Sequence, residues 1–321
     1  MKKILIILCI LPMVSCTWVK DDIDDCPYGF WLKLHYTYNI LDVDAAPRYL
    51  MDAYVYVYDA DGIFIKRIYV NRDELTANDY RVRIEGLPEG NYQFVVWSGM
   101  GNSQYAVSGD TQTIKDFRLT LIGAVDSYSR TLPALYHGYL QAVHYDDSYA
   151  QYDVELMKNT NQLACLVVTV SDEIKMTHDD YILKVIANNG TLDAYNNLVA
   201  SANITYEPFD KDSVIFHDAD YGQLHGIKFN IMTLRLMNND GCRIILQNKK
   251  TNQTIFNISF AEYIGMIGAL YTNIGRQIPV QEYLDRQDFY TIVFYLSGDL
   301  DRLIQLQVNS WRLRVNNHIK L

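Results

Sequence analysis

Tyr54-Val55-Tyr56-Val57-Tyr58 runs into Asp59-Ala60-Asp61-Gly62 and returns as Ile63-Phe64-Ile65-Lys66-Arg67-Ile68-Tyr69-Val70. Tyr and Val alternate on the outward leg, the turn carries Asp and Gly, and the return leg is again rich in β-branched and aromatic residues. Period-two alternation on both sides of a turn predicts a β-hairpin. The same grammar extends outward. Phe30 to Tyr38 reads as the first strand, and Tyr80-Arg81-Val82-Arg83-Ile84 alternates again. Gly86-Leu87-Pro88-Glu89-Gly90-Asn91-Tyr92 turns the chain into Gln93-Phe94-Val95-Val96-Trp97. Short strands at regular spacing, with Gly and Pro between them, predict an all-β sandwich.

A second strand-rich block begins near Tyr149. Its predicted strands are Tyr152 to Met157, Leu163 to Val170, Tyr181 to Ala187, Ile227 to Met237, Arg243 to Gln247 and Thr254 to Phe260, followed by Phe289 to Leu296, Leu303 to Val308 and Trp311 to Leu321. Apolar residues at helical spacing predict two short helices, Ala261 to Tyr271 and Val280 to Arg286. The expected organisation is therefore two tandem β-sandwich domains with a few short helices, divided as 27–148 and 149–321. Between Ser98 and Gly109 the cluster of Ser, Gly and Asn reads as a long loop. Leu119 to Val125, Leu135 to Tyr139 and Leu140 to His144 are candidate short strands after it.

Ahead of the strands stands a leader. Met1-Lys2-Lys3 is followed by an apolar run from Ile4 to Leu11 and then by Pro12-Met13-Val14-Ser15-Cys16. A positive start with an apolar run this short is a secretory signal rather than a mature membrane span. Its small-residue-Cys ending resembles a bacterial lipoprotein signal. That resemblance implies residues 1–15 as signal peptide, cleavage between Ser15 and Cys16, and acylation of Cys16 with palmitate-type chains. Residues 16–26 then form an acidic tether, in which Asp21, Asp22, Asp24 and Asp25 favour a solvated segment.

The chain has 321 residues and a formal net charge of -10, which becomes -12 once Lys2 and Lys3 leave with the signal. A basic surface for nucleic acid is excluded by that balance. The 26 tyrosines suit strands and half-wet surfaces. Cysteine is sparse: after Cys9 and Cys16 only Cys26, Cys165 and Cys242 remain, with no zinc-type spacing. Cys165, within an apolar run, reads as a buried free thiol.

No catalytic residue, cofactor site or metal site is expected. Gly-x-Ser-x-Gly, His-Glu-x-x-His and P-loop patterns are absent from the sequence. Asp59-Ala60-Asp61-Gly62 lacks the remaining ligands of a calcium loop and reads as a hairpin turn. His217-Asp218-Ala219-Asp220 with His225 reads as a solvated loop, and neither His137 nor His144 has a ligand pattern around it.

Taken in order, several segments resemble the FimB-like family of fimbrial anchor and accessory subunits, the type V pili of Bacteroidales-type bacteria. They are the lipoprotein-type Cys16, the acidic stretch ending Asp24-Asp25-Cys26-Pro27, the hairpin at 55–62, and Gly86 to Tyr92 leading to Val96-Trp97. In the second half come Met232-Thr233-Leu234-Arg235-Leu236-Met237, Leu284-Asp285-Arg286 and Trp311. The resemblance covers nearly the whole mature chain. It implies two transthyretin-like sandwiches, attachment to the outer membrane, and a place at the fimbrial base with a contribution to cell adhesion. Lys20, Asp21 and Asp22 resemble the family's surface-export signal. The implied partners are shaft pilin subunits, joined by strand addition to an open sheet edge; the first unit is the expected acceptor. The alternative is a surface glycan-binding lipoprotein, with Trp31, Tyr54, Tyr56, Tyr58 and Trp97 stacking on sugars.

Overall fold

The computed structural model describes residues 29–101, 104–123, 127–146, 148–171, 176–238, 240–267, 275–300 and 302–314. The signal, the lipidation residue Cys16, the cleavage pair Ser15 and Cys16, the export residues Lys20, Asp21 and Asp22, and Cys26 lie outside the described residues.

The first sandwich packs a three-stranded sheet on a five-stranded one. In the smaller sheet Gly29–His35 lies between Gln151–Glu155, to which it is parallel, and Arg81–Glu85, to which it is antiparallel. The larger sheet runs in the order Met157–Lys158, Tyr136–Tyr145, Gly90–Ser98, Asp52–Asp59, Phe64–Asn71. Alternate residues of each sheet, including Phe30, Leu32, Val55, Val57, Phe94 and Val96, meet in one buried core. The quoted hairpin is Asp52–Asp59 paired with Phe64–Asn71, in register from Asp52 with Asn71. Its turn uses Asp59 Oδ1 to accept from the N–H of Asp61 and of Ile63, at 3.0 and 2.8 Å, and Gly62 takes φ +80°. The carboxylate read as a turn residue therefore serves the turn.

The division expected after residue 148 falls between Tyr136–Tyr145 and Gln151–Glu155, and both of those strands pair within the first sandwich. Candidate strands 135–139 and 140–144 are one continuous strand, Tyr136–Tyr145. It bends where its register with Gly90–Ser98 shifts between Tyr92 and Phe94.

The region read as a loop and short strands supplies Tyr105–Ser108 and Arg118–Leu121 to a small sheet completed by Thr191–Asp193. It covers the outer face of the five-stranded sheet. Tyr56, Tyr58, Val95 and Trp97 are buried there, in one cluster with Phe117, Leu119, Leu163 and Phe229. The Tyr/Val alternation therefore does not separate a dry face from a wet one, since both faces of Asp52–Asp59 are covered.

The second sandwich has a six-stranded sheet ordered Asp210–Asp218, Gly222–Leu234, Thr160–Thr169, Phe289–Leu296, Leu303–Val308, Trp311–Arg314. The facing sheet is ordered Gln253–Ser259, Arg243–Asn248, Tyr181–Ala187, Ile204–Tyr206, Ser127–Tyr128. Asp210–Asp218 contains the His217-Asp218 segment read as a loop. Its early residues are polar and exposed because it is an edge strand, which hides the alternation. Helices Phe260–Ile267 and Val280–Arg286 lie where helical spacing placed them. Ala46–Tyr49 and Arg72–Ala77 are further short helices, the latter closed by a capping box between Asn71 and Glu74. No helix among the described residues is long and apolar enough to cross a membrane.

Candidate functional site

Two segments that carried the family resemblance, Arg235 and Leu284-Asp285-Arg286, meet at the seam between the sandwiches. Arg235 follows strand Gly222–Leu234 directly. Asp285 and Arg286 close helix Val280–Arg286, whose start is set by the extended Pro279. Arg235 Nε and Nη2 donate to the two oxygens of Asp285 at 2.7 and 3.0 Å, a bidentate pair with both side chains buried. Arg235 Nη1 also donates to the Asn196 carbonyl at 2.8 Å, and Gln281 donates to Asp285 at 3.0 Å.

Arg286 turns the other way and holds the first sandwich. Its Nη1 donates to the Asn39 carbonyl at 3.1 Å and to Asp42 at 3.0 Å, while its guanidinium lies 4.2 Å from the centre of the Tyr38 ring. Its Nε donates to Glu282, one helical turn back, at 2.8 Å. Burial pushes the Glu282 carboxyl up, but hydrogen bonds from Arg276 and Arg286 outweigh it and hold the group below its ordinary range. Tyr38 is raised, first by burial and then by the nearby Asp285 and Glu282 carboxylates.

Further contacts cross the same seam. His137 Nε2 donates to the Ala194 carbonyl at 2.9 Å, and burial pushes its pKa down to about 4. Asn159 and Asn196 exchange side-chain hydrogen bonds at 2.8 and 3.0 Å. Lys158 pairs with Asp288 at 2.6 Å. Hydrogen bonds, ion pairs and a continuous apolar cluster thus join the halves, in an arrangement suited to fixing one sandwich against the other.

Tyr56, Tyr58 and Trp97 are fully buried and offer no ring to a sugar. Trp31 is half-buried between Arg81 and Arg83, whose guanidinium carbons lie 5.0 and 5.2 Å from its ring centre. Tyr54 packs on Tyr69 of the neighbouring strand at 4.8 Å. Asp218 is bound by Arg312 at 2.7 Å and by the Tyr295 hydroxyl at 2.6 Å, so it braces the sheet. Cys165 and Cys242 are buried free thiols, both raised by burial.

A pair of β-sandwiches of this kind is also the fold of solved adhesin-like proteins from Bacteroides. A candidate adhesin from Bacteroides thetaiotaomicron shares 24% identity at a TM-score of 0.80, covering 92% of this chain and all of that one. A candidate polysaccharide-binding protein of the same organism shares 24% at 0.75, covering 90% of this chain and 98% of that one. The fimbrial anchor protein Mfa2 of Porphyromonas gingivalis shares 17% at 0.68, covering 91% of this chain and 100% of that one. No curated protein matches by sequence. Residues 23–317 match the family described as fimbrillin-A associated anchor proteins Mfa1 and Mfa2, and the chain belongs to that family. It is thereby a fimbrial accessory protein of a structural family, associated with the cell-surface fimbrium.

Proposed function

We propose that this chain is an outer-membrane lipoprotein that anchors or caps the base of a fimbria. Cleavage between Ser15 and Cys16 leaves acyl groups on Cys16. Lys20, Asp21 and Asp22 direct the protein to the outer face of the membrane, and residues 16–26 act as a tether. The two units then accept a strand from the neighbouring pilin. The observation that carries this reading is a lipoprotein-type Cys16 directly ahead of an anchor-family chain. Each buried methylene contributes about 0.8 kcal/mol and a single acyl chain holds only reversibly, so two or three chains on Cys16 suffice to retain the protein without a spanning helix.

The entry point fits a fixed end. Gly29 takes φ +148°, and a Cβ there would sit 2.2 Å from the Ile84 carbonyl oxygen, so only glycine fits at the start of this strand beside the edge strand Arg81–Glu85. Gly29 lies at the opposite end of strand Gly29–His35 from Tyr38, Asn39 and Asp42, where Arg286 of the second sandwich binds. A surface glycan-binding lipoprotein is the second reading. The relative described as a candidate polysaccharide-binding protein favours it, and the burial of Tyr56, Tyr58 and Trp97 weighs against it.

The test is Cys16→Ala in cells that make fimbriae. The expected result is loss of lipid labelling and release of the protein from the membrane fraction. Retention of the unlabelled variant in the membrane would overturn the anchoring role.

A further inference from the structure

Among the described residues, five strands longer than four residues lie at sheet edges: Phe64–Asn71, Arg81–Glu85, Gln151–Glu155, Asp210–Asp218 and Gln253–Ser259. Natural edges are blunted by charge, by inward-pointing lysine or by distortion, because unpaired main-chain groups template pairing with another chain. Four of the five carry such charges. Phe64–Asn71 carries Lys66 and Arg67, and Lys66 is half-buried and donates to the Glu85 carbonyl, closing that side of the first sandwich. Arg81–Glu85 carries Arg81, Arg83 and Glu85. Gln151–Glu155 carries Asp153 and Glu155, and Asp210–Asp218 carries Asp210, Lys211, Asp212 and Asp218.

Gln253-Thr254-Ile255-Phe256-Asn257-Ile258-Ser259 carries no charge at all. It combines β-branched and aromatic residues without Pro or Gly, the composition that adds strands most readily. We propose that this edge is where the protein takes up an extended segment of a neighbouring fimbrial subunit. The proposal rests on the fimbrial-base reading above and moves the acceptor from the first sandwich to the second.

Three features of the strand support that assignment. Its inner residues Phe256 and Ile258 are buried, and Phe256 meets Phe294 edge-on at 5.3 Å, so the strand is fixed in the core as a rigid template. Its outer residues Thr254 and Asn257 are exposed and uncharged, so the strand's own outward side chains present no charge to an incoming segment. The edge also belongs to the second sandwich, whereas Gly29 opens a strand of the first. One distortion is present, a register shift opposite Leu246 and Gln247 that leaves Phe256 to Ser259 as the regular stretch.

Arg243 serves as a removable cover for that stretch. Its guanidinium donates to the Asn257 side chain at 2.7 Å and to the Asn257 carbonyl at 3.0 Å from an exposed position on the adjacent strand. The partner's chemistry follows: an extended peptide, uncharged where it faces Thr254 and Asn257. A carboxylate placed near the exposed Lys249 in the preceding turn would add complementarity.

The experiment uses the full chain in fimbriated cells, with a photoreactive phenylalanine analogue replacing Thr254 or Asn257, and replacing Ile65 or Ser213 on charged edges for comparison. The expected result is a covalent adduct with a fimbrial subunit from positions 254 and 257, and little from 65 and 213. Asn257→Lys should lower the co-isolated subunit by about tenfold, equivalent to ~1.4 kcal/mol, with the melting temperature unchanged. Arg243→Ala should raise it. Adducts from 65 or 213 but not from 254 or 257 would overturn this edge while leaving the fimbrial-base reading intact. Absence of a fimbrial subunit from every adduct and every isolate would overturn both.

Discussion

Asp285→Ala probes the seam directly. The carboxylate accepts two hydrogen bonds from Arg235 at 2.7 and 3.0 Å and one from Gln281 at 3.0 Å, and the Arg235 and Asp285 side chains are only 10% and 6% exposed. Removing it leaves a buried guanidinium with the Asn196 carbonyl as its remaining partner. Breaking a buried pair in this way costs about 3–5 kcal/mol, because the surviving charge is desolvated without compensation. For roughly 290 folded residues the entropy of unfolding is of order 0.6 kcal/mol per degree, so the melting temperature should fall by about 5–8 °C. The double variant Arg235→Met with Asp285→Leu should recover most of that loss, since apolar replacement of both partners removes the stranded charge. Urea unfolding followed by tryptophan fluorescence reads both variants. A loss under about 1 kcal/mol for Asp285→Ala, on the scale of an exposed pair, would refute the reasoning. So would two well-separated transitions in the unsubstituted protein, because one apolar cluster includes Trp97 of the first sandwich and Phe229 of the second.

Two further outcomes follow from buried groups. His137 has a folded pKa of about 4 against an ordinary 6.5, so the unfolded state binds the extra proton between those values. Its contribution is intact above pH 6.5 and is lost as pH falls towards 4, by roughly 3 kcal/mol. Asp240, raised by burial to about 6, works in the opposite direction, adding stability as pH falls from 6 towards 3.8. Stability measured from pH 7 to 4 should therefore fall less steeply in His137→Gln and more steeply in Asp240→Asn, and identical profiles would contradict both assignments. Cys165 and Cys242 should resist maleimide in the native protein and react on unfolding, because burial raises both thiols; rapid native labelling of either would contradict its burial.

The hairpin at Tyr54–Val70 was legible because alternation and turn chemistry agree over seventeen consecutive positions. What the alternation concealed is that both faces are dry, since the cover comes from Tyr105 to Leu135, a stretch interrupted by Ser, Gly and Asp. Asp210–Asp218 was illegible for a related reason: an edge strand exposed on both faces has little apolar pattern to read. Arg235, Asp285 and Arg286 stood out in the sequence as members of family segments. Their pairing, and the reach of Arg286 to Asn39 and Asp42, spans separations that no periodicity encodes. The uncharged edge at Gln253–Ser259 shows the converse. Its strand was expected nearly where it lies, but its place at the end of a sheet is a fact of topology.

Whether the chain joins a membrane to a fimbria is tested by affinity isolation of the full-length protein from detergent-solubilised outer membranes, with the co-eluting chains identified by mass spectrometry. The expected result is an acylated Cys16 peptide together with a fimbrial subunit, and loss of fimbriae to the medium from cells carrying Cys16→Ala. Recovery of the protein without either lipid or fimbrial subunit, from cells whose fimbriae remain attached and unchanged in length, would contradict it.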